Sequence, residues 1–316
     1  MVLATEFARM GHGVKVITTT EVGMDSEEKF SFEVLRNPTA RELFDTIRWC
    51  DVYFQNNISL PALWPAILLR KPWVVAHQTW LRSVSGRVDL AARLKLVFTR
   101  FAASSICISQ AMADQFSTPQ ERIGNSYDAA VFRRIDDVPR DRDFIFVGRL
   151  VTDKGVDTLL EAFAKHRRSQ PDSKLTIVGG GDSEDDLREL TKRLDLESNV
   201  DFVGVKKGAE LARFLNQHRV LVVPSRWEEP YGIVALEGLA CGCVVVGSER
   251  GGLKDAMGPG GLTFPNGNAD ALATVLAESL VTKLDYSAVQ AHLARQSPEA
   301  VAGEYLAIFQ RVARSA

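Results

Sequence analysis

Short apolar runs rich in Val and Ile alternate with segments of helical period along almost the whole chain. This alternation is typical of parallel strands joined by helices that cover both faces of a sheet. It predicts a first group of strands at residues 14–19, 52–55, 73–76 and 104–108, and a second group at residues 144–148, 175–179, 200–204, 220–224 and 243–247. We therefore expect an α/β fold with two doubly wound, Rossmann-like sheets.

A charged stretch with little apolar content, residues 133–143, separates the two groups of strands and suits an interdomain linker. The chain of 316 residues is long enough for two domains. We place the first domain at residues 1–135 and the second at residues 136–297, with residues 298–316 as a helix that packs back on the first domain. Ligands of open α/β sheets bind at the carboxyl ends of the strands, so we expect the site in a cleft between the two sheets.

The composition of the chain argues against nucleic-acid-binding, zinc-binding and membrane-spanning proteins. The 38 Lys and Arg against 40 Asp and Glu leave no basic surface of the kind that holds nucleic acid. The four cysteines have no zinc-type pairing, and the longest apolar run, residues 60–69, contains two prolines and is too short to cross a bilayer. No secretory signal is visible. We expect a soluble, cytoplasmic protein.

The segment from Val223 to Gly242 follows a buried strand and opens a helix close to Tyr231 and Gly232. First-turn N–H groups of a helix have no partner within it, and they bind anions together with the positive end of the helix dipole. Gly232 allows a ligand to approach the backbone. The pattern favours a phosphate site at this helix start.

Two carboxylates flank that helix start. Glu229 stands at its mouth, and Glu237 lies about two turns inside the helix, so the pair can contact opposite ends of a long ligand. Alternatively, Glu229 is a dipole partner and Glu237 is a solvated helix residue. The apolar neighbours of Glu237 make a bare carboxylate costly unless hydroxyl groups or cations meet it.

Two cations follow the first strand of the second domain. Arg149 and Lys154 flank the turn between that strand and an amphipathic helix, which suits a diphosphate. Alternatively, Arg149 and Lys154 are two cations on the surface with no role in binding. The acidic run at residues 182–186 resembles a metal motif, but it opens a helix, where acids match the dipole, and we predict no metal site.

In the order of its motifs, the chain resembles the family-4 retaining glycosyltransferases, which have the GT-B architecture of two Rossmann-like domains. Its most specific element is the pair of glutamates, Glu229 and Glu237, in the phrase Glu-Pro-Tyr-Gly-Ile-Val-Ala-Leu-Glu. The phrase Val-Gly-Arg-Leu…Asp-Lys-Gly also matches. Further matching segments lie at residues 11–16, 75–77, 125–128, 177–182, 200–204 and 251–255.

The resemblance implies a role for each matching position. Glu229 would face the hydroxyls of the donor sugar, and Glu237 would bind the ribose hydroxyls of the nucleotide. Arg149 and Lys154 would neutralise the diphosphate. The remaining positions implied to contact the donor are His77, which would approach the sugar from the first domain, the backbone of Tyr231, Gly232 and Ile233, and the base-facing loop at Val203 and Gly204.

The implied activity is that of a metal-independent, retaining, hexosyltransferase-type enzyme. Its co-substrate would be a UDP or GDP sugar, its acceptor a glycan, a lipid-linked molecule or a small hydroxyl compound, and no separate cofactor would be needed. Two other hypotheses remain: a nucleotide-sugar-binding or partner subunit without catalysis, and a GT-B nucleotide-sugar epimerase.

Two features concern the first domain. Residues 82–100 combine five cations with apolar positions, so this segment suits peripheral contact with the inner face of a membrane, or a core helix with a solvated face. The family begins with a strand and a glycine-rich loop, whereas Met1 here already lies inside the helix that follows them. We therefore expect about twenty residues of the family pattern to be absent, an estimate from the length of one strand and one loop.

Overall fold

The structure is a computed structural model that describes residues 1–20, 30–81 and 89–315. It divides into two compact units. The first comprises Met1–Ile123 and Pro298–Ala316, and the second comprises Gly124–Ser297. Residues 124–135, predicted as the end of the first domain, thus belong to the second unit, where the Asn216 side chain is hydrogen-bonded to the backbone of Ile135 and Arg133.

The helices and strands alternate along the chain. The helices are α1 (Val2–Arg9), α2 (Ala40–Trp49), α3 (Trp64–Leu68), α4 (Leu90–Thr99), α5 (Gln110–Ala113), α6 (Val156–His166), α7 (Glu184–Arg193), α8 (Gly208–Gln217), α9 (Ile233–Ala240), α10 (Leu253–Met257), α11 (Ala269–Ser279), α12 (Tyr286–Arg295) and α13 (Pro298–Arg314). The strands are β1 (Lys15–Thr18), β2 (Glu33–Arg36), β3 (Tyr53–Asn56), β4 (Trp73–His77), β5 (Ser104–Cys107), β6 (Glu121–Arg122), β7 (Arg142–Val147), β8 (Leu175–Val178), β9 (Val200–Phe202), β10 (His218–Val223), β11 (Val244–Ser248) and β12 (Gly261–Phe264).

In the first unit the strands form a two-stranded sheet, β1-β2, and a four-stranded sheet, β3-β4-β5-β6, both parallel. Every residue of β4 is buried, as expected for a central strand covered on both faces. The last helix, α13, belongs to this unit: Tyr305 packs in a core cluster with Val74 and Ile106 and makes an edge contact with Phe54 at 5.5 Å between ring centroids.

In the second unit six parallel strands follow the order β12-β11-β10-β7-β8-β9. Val222 in β10 is paired with Phe146 in β7 and with Val246 in β11, and all three are buried. Phe163 in α6 covers this sheet and makes an edge contact with Phe144, 6.0 Å between ring centroids. The fold class predicted from the sequence, α/β with parallel doubly wound sheets, is confirmed.

Three observed strands are absent from the sequence prediction: β2, β6 and β12. Each stands at the end of its sheet order. These three strands contain charged residues, glycine or threonine, so they lack the continuous apolar run that reveals a buried strand. All the predicted strands are observed, and each of their bounds differs from the prediction by at most two residues.

Two further predictions concern membranes and the first residues. No helix within the described ranges is long and apolar enough to cross a membrane. Of the segment predicted for peripheral membrane contact, residues 82–88, including Arg82 and Arg87, lie outside the described residues. The absence of the first strand and glycine-rich loop of the family pattern stays a prediction; residues Val2–Arg9 form α1, the helix to which the resemblance assigned the first residues.

Candidate functional site

The carboxyl ends of β7, β8 and β9 are tied together by backbone hydrogen bonds. The N–H of Gly148 donates to the Val178 carbonyl at 3.0 Å, and the N–H of Gly179 donates to the Gly204 carbonyl at 2.9 Å. A Cβ on Gly179 would overlap the carbonyl oxygen of Gly148. This edge of the sheet is therefore built from closely packed backbone, and Arg149 follows it directly.

Lys154 is brought to the edge by a short 3-10 segment, Thr152–Lys154. The Asp153 carbonyl in that segment accepts hydrogen bonds from the N–H groups of Arg226, at 2.9 Å, and Trp227, at 3.2 Å. The loop after β10 is thereby held against the turn after β7. As a result, Lys154 and Glu229 lie side by side although they are distant in sequence.

Lys154 and Glu229 form an ion pair, with 2.6 Å between Nζ and Oε1. Their side chains are only 20% and 13% exposed, so water screens this pair less than a surface pair. The Ser225 hydroxyl donates to the same Oε1 at 2.6 Å. Among the described residues nothing donates to the other oxygen, Oε2. The carboxylate is thus fixed through one oxygen and has the second available for a ligand.

The backbone of Glu229 is fixed as well. Its carbonyl accepts a hydrogen bond from the N–H of Gly252 at 2.7 Å, and residues 229 and 251 form a parallel bridge. The glycine pair at residues 251–252 thus supports the loop that carries Glu229. The sequence singled out this pair only as a family match, without a structural reason for it.

Helix α9 begins directly after that loop, as the sequence predicts. Its N-cap, Gly232, has φ +99, and no side chain caps the helix. A Cβ at Gly232 would lie 2.5 Å from Leu253 Cδ1. Tyr231 is buried and Ile233 is exposed. The uncapped first turn offers backbone N–H groups to an anion a few residues from Glu229.

Glu237 lies in the second turn of α9 and is half-buried. No described residue makes a hydrogen bond to its carboxylate. Burial, together with the neighbouring charge of Asp128, raises the pKa of Glu237 to about 7. An unpartnered carboxyl in this environment is stabilised by a ligand that brings hydroxyl donors.

Arg149, Val203 and Gly204 occupy the same sheet edge. Arg149 is exposed, and within the described ranges it has no ion-pair partner, so its charge is available to an anion. Val203 donates its N–H to the Ile177 carbonyl at 3.0 Å, which fixes the loop after β9 beside the loop after β8. Both loops thus line the edge at which Arg149 lies.

His77 is described in the first unit, at the carboxyl end of β4 as predicted. Its ring is 1% exposed, and its Nε2 lies 3.1 Å from Ser105 Oγ, while Nδ1 is buried without a partner on any described residue. Burial lowers the pKa of His77 to about 4. The imidazole is therefore neutral at physiological pH, and its role toward a donor sugar stays a prediction.

The structure thus brings the predicted residues of the second unit to one sheet edge. Two further residues belong there and were not assigned by the sequence. Ser225 holds Glu229, and its place two residues after β10 was a usable signal. Asp128 acts on Glu237 through its charge, which no spacing in the sequence reveals because the two residues are far apart in the chain.

The acidic run at residues 182–186 lies at the amino terminus of α7, with Glu184, Asp185 and Asp186 in the first turn. Ser183 is the N-cap, and its hydroxyl makes no capping hydrogen bond. No group of three or more His, Cys, Asp or Glu side chains in the described part of the chain has a metal-binding arrangement. The acids are explained by the helix dipole.

Known proteins share sequence with this chain. The family model described as "Glycosyl transferases group 1" matches residues 131–290. An uncharacterized glycosyltransferase of Methanocaldococcus jannaschii is 41% identical over 125 residues, which cover 39% of this chain and 32% of that protein. A glycogen synthase of Mycobacterium tuberculosis is 32% identical over 190 residues, 57% of this chain and 45% of that protein.

A solved structure shares the fold over nearly the whole chain. Anabaena HepE in complex with UDP and glucose superposes with a TM-score of 0.72 at 20% identity, covering 99% of this chain and 94% of that one. The fold is therefore the GT-B fold of such glycosyltransferases. The chain spans less than half the length of the two curated relatives named above.

Proposed function

Since the chain belongs to the glycosyl transferases group 1 family, we propose that it transfers a sugar from a nucleoside-diphosphate donor to a hydroxyl acceptor with retention of configuration. The observation that carries the proposal is the Lys154–Glu229 pair beside the uncapped start of α9. A cation, an oriented carboxylate and free backbone N–H groups there suit the two chemical parts of such a donor, a diphosphate and a polyhydroxyl ring.

The donor is proposed to extend between the two glutamates. Glu229 accepts hydrogen bonds from sugar hydroxyls through Oε2, because Oε1 already serves Lys154 and Ser225. Glu237 accepts hydrogen bonds from the ribose hydroxyls. The backbone of Tyr231, Gly232 and Ile233 holds the distal phosphate, and the loop at Val203 and Gly204 faces the base, which we take to be uracil or guanine.

Lys154 and Arg149 supply positive charge for the leaving group. Breaking the bond between the anomeric carbon and the phosphate oxygen places negative charge on the nucleotide, and fixed cations stabilise that charge most strongly in the transition state. An ammonium group has three donors, so Lys154 can keep Glu229 while it reaches a phosphate oxygen. These cations are proposed to make transfer independent of divalent metal.

The acceptor oxygen is proposed to attack the anomeric carbon from the face that the diphosphate leaves. The new glycosidic bond forms as the bond to the phosphate breaks, and the departing phosphate oxygen takes the proton of the acceptor hydroxyl. His77 is proposed to contact the donor sugar. The acceptor is a glycan, a lipid-linked molecule or a small hydroxyl compound, and the reaction runs in the cytoplasm.

The test is a panel of UDP and GDP sugars, each assayed for binding, for slow hydrolysis and for transfer in the presence of chelator. We expect one donor to bind, and Glu229→Gln to reduce sugar release by at least about a hundredfold, the scale for loss of a transition-state contact. Glu161→Gln, on the exposed face of α6, is the matched control. A donor that binds but is never cleaved, or that returns as a new sugar isomer, contradicts transfer.

A further inference from the structure

The outward face of α4 carries a stripe of apolar side chains. Leu90, Leu94, Val97 and Phe101 recur at helical spacing, and all four are exposed. Phe101, one residue beyond the C-cap, is 77% exposed. Ordinary surface helices turn such residues toward the core. A continuous apolar stripe on the solvent side marks a binding surface.

The stripe continues onto α3. Ile67, 60% exposed, and Leu68 project from that helix, and Ile67 lines a cavity of about 460 Å³ together with Phe98 and Phe101. We call these six exposed residues the α3–α4 patch: Ile67, Leu68, Leu90, Leu94, Val97 and Phe101. Two of the six, Ile67 and Phe101, thus meet at one apolar depression between the two elements.

Four cations surround the patch. Arg70 and Lys71 line the same cavity, and Arg93 and Arg100 stand on α4 between the apolar positions. None of the four forms an ion pair with any residue that the structure describes. Lys71 Nζ donates to the Cys50 carbonyl at 2.5 Å, and Arg100 Nη2 donates to Ser117 Oγ at 3.1 Å. The nearest acid on α4, Asp89, is engaged as its N-cap, accepting from the Ala92 N–H at 2.7 Å.

The end of the patch formed by Ile67 and Phe101 is remote from the ligand-binding edge of its own sheet. The cavity is lined by Trp73, the first residue of β4, and by Ala103, which immediately precedes β5. These positions mark the amino-terminal edge of the sheet, whereas His77 marks the carboxyl edge. A large partner can cover the patch and leave the carboxyl ends of these strands open.

From this arrangement we propose that the α3–α4 patch docks on the surface of an anionic lipid bilayer, with the apolar side chains among the acyl chains and the four cations at the headgroups. This inference goes beyond the proposed function because it concerns the first unit alone. Helices that lie in the membrane interface typically combine apolar residues such as Leu, Val and Phe with Arg and Lys. A second copy of the chain is a less suitable partner for the patch. A two-fold contact would place the four cations of one copy opposite the same four cations of the other.

Flotation with vesicles of equal parts phosphatidylglycerol and phosphatidylcholine tests the proposal on the full chain. We expect binding that weakens strongly in high salt, because screening shortens the reach of the headgroup charge. Pure phosphatidylcholine vesicles should bind much less. Equal binding to both vesicle types, or no binding to either, would overturn the proposal; a protein partner for the patch would give the second result.

Matched variants separate the two contributions. Arg93→Glu with Arg100→Glu should weaken binding to anionic vesicles by at least about 25-fold, from about fivefold for each cation lost. Val97→Ser with Phe101→Ser should weaken it by at least about tenfold, from the apolar area that no longer leaves water. The controls are Arg168→Glu with Arg193→Glu, exposed cations of the second unit, and Val281→Ser, an exposed apolar residue there.

The controls should bind as wild type does. If they lose as much binding as the patch variants, the effect is one of overall charge, and the proposed site is wrong. The patch variants should keep the donor affinity and thermal midpoint of the wild type, since all four positions are exposed. This readout keeps the outcome independent of whether the proposed transfer reaction is correct.

Discussion

Lys154 Nζ lies 2.6 Å from Glu229 Oε1, although the two residues are 75 positions apart in the chain. The contact depends on the 3-10 turn after β7 and on the loop after β10, which the Asp153 carbonyl ties together. Neither side chain is therefore independent of the other. A change at Lys154 therefore affects both the cation proposed to bind a diphosphate and the orientation of the carboxylate proposed to bind a sugar.

Lys154→Ala should lower kcat/KM for transfer by about 10²–10³, the range found when one fixed donor to developing charge is removed. The matched control is Lys165→Ala, which removes an ion pair of similar length to Asp270 in the same unit, at 38% and 83% exposure. That control should change neither activity nor stability measurably. Steady-state kinetics with saturating acceptor measures the difference; equal effects of the two substitutions would refute the assigned role.

Arg149 allows stability and function to be separated. It is exposed and has no ion-pair partner among the residues described, so Arg149→Ala should change the free energy of unfolding by less than about 0.5 kcal/mol. Donor binding should weaken about tenfold to a hundredfold, because a charge-assisted contact to the diphosphate is lost. Isothermal calorimetry with the nucleoside diphosphate and urea denaturation test the two statements, with Arg168→Ala as the control that should affect neither.

Glu237 should make stability depend on pH. Burial raises its pKa to about 7, whereas the ordinary pKa of this carboxyl, which applies in the unfolded chain, is 4.5. Between these two pH values the folded protein holds a proton that the unfolded chain has released. The free energy of unfolding therefore falls as pH rises toward 7. Glu237→Gln should be more stable than wild type by about 1–3 kcal/mol above pH ~8, and the difference should vanish toward pH ~4.5.

Donor binding should follow the opposite trend. If the ionised Glu237 accepts ribose hydroxyls, affinity falls as pH drops below about 7. In Glu237→Gln the affinity should be lower and this pH dependence absent. Denaturation curves and ligand titrations across the same pH range measure both effects, and Glu161→Gln on exposed α6 serves as the control. A wild-type affinity that does not change with pH would contradict the role of Glu237.

Gly232→Ala should damage the start of α9. An alanine at φ +99 is strained, and its Cβ would lie 2.5 Å from Leu253 Cδ1, so we expect a loss of about 1–3 kcal/mol in stability together with weaker donor binding. Gly303→Ala is the opposite case, a helical glycine in α13 with open space around it. That substitution should stabilise the protein by about 0.5–1 kcal/mol. Thermal melts of both variants test the contrast.

The sequence was sufficient for the class of fold and for the central strands, because buried parallel strands such as β4, β8 and β10 are continuous apolar runs. The strands β2, β6 and β12 were not predictable in this way, since they lack such a run. The first-unit boundary was also displaced. The charged stretch at residues 133–143 suggested a linker, but Asn216 holds its first residues to the second unit.

For the site, the sequence located the helix start at Gly232 and placed Arg149, Lys154, Glu229 and Glu237 at strand and helix ends. It did not predict that Lys154 and Glu229 pair with each other, because such a contact depends on how two loops pack in three dimensions. For the same reason, the effect of the Asp128 charge on the pKa of Glu237 was not predictable. Burial of His77 was also not visible, since a histidine after an apolar strand reads equally well as a surface residue at the strand end.

The backbone contact between Gly179 and the Gly148 carbonyl has a consequence for how the family can vary. Because any Cβ at residue 179 overlaps that oxygen, saturation mutagenesis should recover no functional substitution there. At the neighbouring Gly180 a Cβ would meet Val205 at an ordinary 3.5 Å, so many replacements should survive. Under the proposed function, we therefore expect new donor preferences to evolve through substitutions at the loop tips, while Gly179 beneath them stays unchanged.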